Sequence, residues 1–197
     1  MLEARNVSFK FSKKGPLILN NRSLQVRSGE IVGVAGVSGS GKSTFGRILA
    51  NHLTPSAGRV FVDGNDNCGR GFNPVQFLHQ SPALAINPRW SIRRIIEESG
   101  VVDPAFRDRL GVKEHWYDRF PHELSGGELQ RVIILRALDR RARYLIADEI
   151  TSMLDPIAQS EIWHALIEIC REQNIGLLAI SHDLHLLHRI TERIIQL

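Results

Sequence analysis

The chain has 197 residues, 43% of them hydrophobic and 23% charged, and its formal net charge is +4 with a pI near 9.4. This length and composition are typical of a globular protein with its own core, either one domain or two small ones. The longest apolar runs fall far short of the roughly 20 residues that span a bilayer, and the N-terminus lacks the apolar core of a signal peptide. Cys68 and Cys170 form no C-x-x-C pattern, which indicates a reducing compartment such as the cytosol and excludes a disulfide framework.

The first half of the chain predicts short strands around one helix. Residues 42–51 have helical periodicity and follow a glycine-rich loop. Alternating or continuously apolar runs bounded by turn residues predict strands at residues 2–11, 19–26, 31–36, 59–64 and 75–80.

The second half alternates helices with buried strands. Residues 82–135 are irregular and mostly helical, with prolines as punctuation, and they are predicted to form a subdomain inserted into the sheet. A helix is predicted over residues 125–140 and a second over 156–173, with apolar strands at 143–149 and 176–183. Continuously apolar strands that alternate with helices predict an α/β fold with a mostly parallel sheet covered on both faces. We therefore expect one domain over residues 1–197.

Residues 36–43, "GVSGSGKS", match the phosphate-loop pattern G-x-x-x-x-G-K-[ST]. The pattern follows a buried strand and opens a helix, and the alternative, a glycine- and serine-rich turn with a chance lysine, does not require that context. Lys42 is expected to reach the β- and γ-phosphates of a nucleotide, and the Ser43 hydroxyl to bind Mg²⁺. The predicted phosphate-binding residues are Gly36, Ser38, Gly39, Ser40, Gly41, Lys42, Ser43 and Thr44.

Two adjacent acids end the apolar strand "YLIADE". Asp148 is expected to bind the metal together with Ser43, since such an aspartate is a usual partner of the phosphate-loop hydroxyl. Glu149 is expected to polarise a water for attack on the γ-phosphate. Without the phosphate loop, the same two acids would be no more than a polar end to a strand.

A second glycine-rich segment, "LSGGELQRV" at residues 124–132, lies at the start of a predicted helix. Ser125, Gly126 and Gly127 there predict a second anion-binding site, because a helix N-terminus presents free N–H groups and a positive dipole end. One nucleotide needs one such cradle in a domain. Two in one chain suggest that the second contacts a nucleotide bound to another copy or partner.

With this segment the chain resembles the ATP-binding subunits of ABC transporters, whose LSGGE signature is specific to that superfamily, and the resemblance covers nearly the whole chain. It implies an ABC-type nucleotide-binding domain that uses ATP and Mg²⁺. Gln80 matches the Q-loop glutamine, a metal ligand with a catalytic role, and Asp155 lies in the segment "SMLD", which resembles the D-loop. His182 matches the switch histidine, which joins Glu149 in catalysis. Phe11 stands where the family stacks an aromatic ring on adenine, although core packing of Phe11 or of Phe9 is an equal alternative.

A narrower resemblance links residues 78–92, "LHQSPALAINPRWSI", to importers of peptides, nickel and metal–metallophore complexes. Ile150, where most of the family has proline, points the same way. This resemblance implies transmembrane permease subunits, a second ATP-binding subunit, an extracytoplasmic substrate-binding protein, and a peripheral position on the cytoplasmic face of the inner membrane. Because the sequence ends at "ERIIQL", before the closing hairpin usual in the family, its final strand is expected to lack a neighbour.

Two other functions remain open at this stage. A soluble ABC ATPase that acts on nucleic acid or ribosomes would suit the basic pI, but it would be expected to carry long coiled coils or a second such domain. A poorly hydrolysing regulatory partner of a heterodimer would be expected to lose site residues, which this chain keeps. Two arginine clusters are predicted to be a solvated or protein-contacting surface, with a nucleic-acid patch as the alternative: Arg89, Arg93 and Arg94, then Arg136, Arg140, Arg141 and Arg143.

Overall fold

A computed structural model describes residues 1–66, 71–100 and 103–197, in which two sheets are combined with helices. The strands are β1 (Leu2–Phe9), β2 (Leu19–Val26), β3 (Ile31–Ala35), β4 (Ala57–Val62), β5 (Asn65–Asp66), β6 (Val75–Leu78), β7 (Tyr144–Asp148), β8 (Gly176–Ile180) and β9 (Arg193–Gln196). The α-helices are α1 (Lys42–Leu49), α2 (Ile92–Glu97), α3 (Pro104–Arg109), α4 (Gly126–Ala137), α5 (Pro156–Glu172) and α6 (Leu184–Ile190). Short 3₁₀ helices occupy Pro82–Ala85, Glu114–Trp116 and Pro121–Glu123.

The larger sheet is parallel, with the strand order β6-β7-β8-β3-β9. Every residue of β3, β7 and β8 is buried, as their continuously apolar sequences predict for strands covered on both faces. Since the strands are parallel, their carboxyl ends meet at one edge of the sheet. The loops that follow β3, β6, β7 and β8 therefore converge there, and they carry the predicted phosphate loop and the predicted catalytic residues.

The smaller sheet is antiparallel, with the order β2-β1-β4-β5, and it confirms the predicted N-terminal strands. Its inward side chains, such as Leu2 and Val7, share a core with α1 and with one face of the parallel sheet, including Ile146 and Leu178. This packing fixes the segment after β1 beside the loop between β3 and α1.

The other face of the parallel sheet is covered by helices from between β6 and β7 and by α5. Ile95 of α2 and Val132 of α4 lie in the same buried cluster as Leu145 and Ala147 of β7. The mostly helical character predicted for residues 82–135 is therefore confirmed. Helix α4 ends at Ala137, before the predicted end at residue 140, because the Asp139 side chain accepts a hydrogen bond from the Arg141 N–H and closes a turn.

The expectation that the final strand lacks a neighbour is wrong on one side. Strand β9 pairs in parallel with β3, and the Arg193 guanidinium binds Glu30 at 2.7 Å and the Gln25 carbonyl. In the described part of the chain, no strand pairs with the opposite edge of β9. Backbone pairing and this ion pair hold the strand in place.

Two expectations from composition can also be compared with the fold. Cys170 is a free, buried thiol, and burial raises its pKa to about 12, so it stays protonated; Cys68 lies outside the described residues. Over residues 1–66, 71–100 and 103–197, no helix combines the length and the apolar character that a membrane crossing requires.

Candidate nucleotide site

The loop between β3 and α1 wraps around its own lysine. Gly39 and Gly41 have φ values of +82° and +96°, a left-handed conformation that glycine adopts without strain. A Cβ on Gly41 would also lie 2.9 Å from Leu19 Cδ2, so the loop fits closely against β2. The buried Lys42 side chain turns back along the loop, and its Nζ donates to the carbonyl oxygens of Gly36 at 2.8 Å and Val37 at 3.0 Å.

Ser40 lies at the back of this loop. Its Oγ is buried and, among the described residues, has no hydrogen-bond partner. A buried hydroxyl without a partner carries a desolvation cost that a bound acceptor would remove. The free N–H groups at the start of α1, rather than this buried atom, make the loop a suitable receptor for phosphate oxygens.

A second feature of the site joins the loop to the end of β7. The Ser43 hydroxyl donates to Asp148 Oδ1 at 2.9 Å, across the sheet edge. Burial, helped by the charge of Glu149, raises the pKa of Asp148, while the Ser43 hydrogen bond opposes the shift. A cation would stabilise this buried carboxylate, and hydroxyl and carboxylate oxygens are ligands that Mg²⁺ accepts, usually together with substrate phosphates. The donor set therefore fits Mg²⁺ held jointly with a nucleotide.

Side chains from two other loops contact Glu149. Gln80 Nε2 donates to Glu149 Oε2 at 3.3 Å and to Ser152 Oγ at 3.3 Å. His182 Nδ1 lies 3.1 Å from Glu149 Oε1, and the carboxylate requires the ring nitrogen to be the donor. The predicted catalytic residues Glu149, Gln80 and His182 are thus in direct contact.

These groups line one cleft of about 700 Å³, a volume suited to a small ligand. Its walls are formed by Phe11, Ile18, Ser38, Gly39, Gly41, Lys42, Ser43, Thr44, Gln80, Glu149 and His182. Two other clefts are nearly as large, at about 650 and 660 Å³, so chemistry rather than volume distinguishes this one. Gly36 and Ser40 do not line the cleft and instead form the back of the loop.

The rim of the cleft distinguishes Phe11 from Phe9 and includes one residue, Ile18, that the sequence did not predict. Phe9 is buried in the core, whereas Phe11 is 69% exposed at the rim and meets the Phe9 ring edge-on at 5.0 Å. Ile18 lies on the same rim, held by a hydrogen bond from its N–H to the Phe9 carbonyl. Nothing in the sequence marked Ile18, since it reaches the cleft only through the pairing of β1 with β2.

The second glycine-rich segment lies outside this cleft. Ser125 caps α4: its Oγ accepts from the Glu128 N–H at 3.3 Å, and the Glu128 carboxylate accepts from the Ser125 N–H at 2.7 Å. Ser125 and Gly126 are exposed and Gly127 is half-buried. Asp155 likewise caps α5, accepting from the N–H groups of Ile157 and Ala158 at 3.0 Å each. A nucleotide in the cleft would not touch either segment of its own chain.

The arginine clusters are mostly neutralised within the chain. Arg94 lies over the Trp90 ring at 4.1 Å. The carboxylate partners are Asp118 for Arg93 at 3.2 Å, Glu98 for Arg136 at 3.5 Å, Asp139 for Arg141 at 2.8 Å and Asp63 for Arg143 at 3.3 Å. These pairs favour a solvated or protein-contacting surface over a nucleic-acid patch, because neutralised arginines release few counterions from a phosphate backbone.

The fold and the site define a class, an α/β domain with a phosphate loop at the carboxyl edge of a parallel sheet that binds a nucleoside triphosphate. Comparisons with known proteins narrow this class. A family model described as "ABC transporter" matches residues 19–152. The nickel import system ATP-binding protein NikE of Staphylococcus aureus is 33% identical over 214 residues, which cover 100% of this chain and 86% of that protein.

Two further comparisons agree. A second relative, from Brucella ovis, carries a provisional name as a peptide import ATP-binding protein. It is 33% identical over 199 residues, which cover 91% of this chain and 63% of that protein. The dimeric ATP-binding cassette MJ0796, in a post-hydrolysis state with ADP and Pi, has a TM-score of 0.85 and 25% identity, covering 100% of this chain and 94% of that chain. The chain belongs to the ABC transporter family, as an ATP-binding subunit and an ATPase.

Proposed function

We propose that the cleft binds ATP with Mg²⁺ and that Glu149 polarises the attacking water, so that hydrolysis drives import through separate membrane subunits. The convergence of the Ser43–Asp148 pair and the Gln80–Glu149–His182 cluster on one cleft supports this function most directly. Bound Mg²⁺ would supply charge stabilisation at the phosphates. The remaining roles belong to the chain's own side chains.

Each side chain in the cleft has a role that its contacts suggest. Lys42 exchanges its two carbonyl partners for phosphate oxygens, which carry more negative charge and therefore form stronger hydrogen bonds. Ser43 and Asp148, together with Gln80, hold the metal. His182 orients Glu149 from the far side of the carboxylate. Phe11, exposed on the rim, stacks on the adenine ring.

The substitution Glu149→Gln tests the chemical step. The amide keeps the size and hydrogen-bonding capacity of the carboxylate but is not a base, and a general base contributes about 10²- to 10⁴-fold to a rate. We expect the variant to bind ATP normally and hydrolyse it at least about a hundredfold more slowly. Steady-state phosphate release and ATP titration measure the two quantities.

Two further variants make this test specific. Asp148→Asn should weaken ATP binding and the response to Mg²⁺ together, because it removes the charge that faces the metal. Glu168→Gln, the same change at an exposed residue of α5, should leave both binding and turnover at wild-type values. Turnover by Glu149→Gln near the wild-type rate would contradict the role of Glu149 and favour a poorly hydrolysing partner subunit.

We infer further that the working unit contains two ATP-binding subunits. Val37 in the phosphate loop and Met153 and Ile157 around the start of α5 are 78%, 81% and 74% exposed. A contiguous exposed apolar patch is typical of a protein contact, and we propose that these three side chains belong to one. Ser125, Gly126, Gly127 and Asp155, which the nucleotide of their own chain would not reach, are proposed to contact the nucleotide of the second subunit. The dimeric state of MJ0796 supports this arrangement.

The transported substrate is proposed from relatives. NikE and the Brucella ovis protein are named for nickel and peptide import, which agrees with the resemblance of residues 78–92.

The inserted helical unit at residues 82–135 is proposed to contact permease subunits. The contacting lip would consist of Leu84, Trp90 and Arg94, with Leu84 77% exposed. The subunit would then sit on the cytoplasmic face of the inner membrane, in a system that includes a substrate-binding protein. Co-purification with the permease tests this assembly, and loss of binding on Trp90→Ala, with ATP affinity intact, would support the lip.

A further inference from the structure

Thr151 lies two residues after Glu149, outside the nucleotide cleft, and is 3% exposed. Its Oγ1 accepts two hydrogen bonds from α5, one from Trp163 Nε1 at 2.9 Å and one from Gln159 Nε2 at 2.9 Å. Trp163 is 2% exposed, so its indole N–H is buried. One hydroxyl thus joins the loop after β7 to the helix packed behind the sheet.

The rest of this loop, residues 149–155, is held at its two ends, where the Glu149 N–H donates to the Ile180 carbonyl at 3.0 Å and Asp155 caps α5. Glu149 has a φ of +50°, a left-handed conformation that a residue with a side chain adopts only when its surroundings hold it there. Ser152 and Met153 are exposed. A cavity of about 160 Å³, lined by Glu149, Thr151, Trp163, His182 and Leu186, lies beside the loop, so close packing does not hold it on that side.

We propose that Thr151, held by Trp163 and Gln159, is a positioning residue that keeps Glu149 aimed at the nucleotide cleft. The proposal rests on the proposed function in one respect, that Glu149 polarises the water. The Thr151 backbone carbonyl also accepts from the Leu154 N–H at 3.1 Å, so the same residue shapes the turn that leads to Asp155 and α5. Glu149 and the segment proposed to face the second subunit therefore share one anchor.

The physical reason is the cost of leaving a buried donor unpaired. Without the hydroxyl, the buried indole N–H of Trp163 loses its acceptor, whereas the half-buried amide of Gln159 can turn to water, and the loop can lower the cost at Trp163 by moving. A movement of about 1 Å at a reacting group can reduce a rate by about a hundredfold. ATP binding should not change, because Thr151 does not line the cleft.

The experiment compares Thr151→Val, which is nearly isosteric but lacks the hydroxyl, with Thr151→Ser, which keeps it. We expect kcat of Thr151→Val to fall at least about tenfold with KM for ATP unchanged, and Thr151→Ser to restore most of the rate. Trp163→Phe, which removes one of the two donors together with part of the buried ring, should give a smaller fall in kcat. Hydrogen–deuterium exchange of residues 149–155 in the nucleotide-free protein should be faster in Thr151→Val than in wild type.

Tyr144→Phe is the matched control. Tyr144 begins the strand whose other end carries Asp148, it is fully buried, and its hydroxyl donates to Asp63 Oδ1 at 2.9 Å. The change likewise removes one buried hydroxyl, so it should lower the melting temperature to a similar extent. We expect it to leave kcat and the exchange of residues 149–155 at wild-type values.

The outcomes separate this inference from the proposed function. A wild-type kcat in Thr151→Val, or equal falls in kcat in Thr151→Val and Tyr144→Phe, would overturn the positioning role. Should Thr151→Val fail to fold, an unchanged kcat in Trp163→Phe would also overturn the positioning role. Near wild-type turnover by Glu149→Gln, measured alongside, would instead contradict the proposed base, whatever Thr151 does.

Discussion

At the scale of single residues, the site depends on side chains whose partners are already arranged. The Lys42 ammonium is held within its loop by two backbone carbonyls, so it is already ordered before it exchanges them for phosphate oxygens. Ser43 and Asp148 are similarly joined before any metal arrives. Pre-organised polar groups of this kind stabilise developing charge without a further ordering cost.

Lys42→Ala should therefore weaken ATP binding rather than alter the fold. A charge-assisted hydrogen bond contributes about 1.5–3 kcal/mol, which corresponds to about one to two decades in Kd. Calorimetric titration with Mg-ATP measures the change, and Lys113→Ala, at an exposed lysine of the helical segment, is the control. An unchanged Kd in Lys42→Ala would remove the phosphate-loop assignment.

At the scale of elements, the position of α1 decides where the phosphate loop lies. Gly46 faces the sheet, and a Cβ there would lie 3.0 Å from Ile180 Cδ1, 3.0 Å from Phe77 Cε2 and 3.1 Å from Ile146 Cγ2. The missing side chain lets the helix approach three strands closely. For alanine at position 46, helix propensity therefore predicts a more stable protein, whereas packing predicts a less stable one.

Gly46→Ala should destabilise the protein despite the better helix propensity of alanine. Alanine gains about 1 kcal/mol over glycine in a helix, whereas overpacking a core costs about 1–3 kcal/mol. We expect a net fall in the melting temperature of a few degrees, at about 2–4 °C for each kcal/mol. In Gly126→Ala, where a Cβ meets nothing within 4 Å, the melting temperature should stay the same or rise. A rise in the melting temperature of Gly46→Ala as large as that of Gly126→Ala would show that close packing on the sheet does not exclude a side chain at position 46.

At the scale of the whole molecule, the residues proposed to contact nucleotide lie on two surfaces of one chain. The phosphate loop opens into the cleft, while the Ser125 cap of α4 is exposed elsewhere. In the proposed assembly, two copies or two similar subunits meet so that the Ser125 segment of each faces the nucleotide of the other. Hydrolysis should then depend on association, and binding should not.

Ser125→Arg tests this dependence. We expect monomeric ATP affinity to stay at the wild-type value and the rise of ATPase rate with protein concentration to disappear, because the cation blocks the second chain. Ser125→Ala loses the same helix cap, at about 1 kcal/mol, without adding bulk, so it separates helix destabilisation from blocked association. Size-exclusion chromatography with ATP measures the dimer directly. Wild-type turnover by Ser125→Arg would contradict the shared site.

Much of this protein could be predicted from short stretches of its sequence. The phosphate loop, the acids that end β7 and the cap of α4 are each encoded within about ten residues, where glycine freedom, helix dipoles and burial act locally. The parallel sheet followed from strands that are apolar throughout. The roles of Gln80 and His182 came from resemblance, because neither residue has local chemistry that distinguishes it.

Only the tertiary structure decided which of these pieces touch. Gln80 meets Glu149 across 69 positions and His182 meets it across 33, through the order of strands in the sheet. The packing of the chain likewise gave β9 its partner, placed Phe9 in the core and Phe11 at the rim, and paired Arg93, Arg136, Arg141 and Arg143 with acids. The contact between Thr151 and Trp163 could not be predicted from the sequence for the same reason. A contact between distant residues depends on the packing of the whole chain, whereas a sequence pattern reports only what neighbouring residues do to one another.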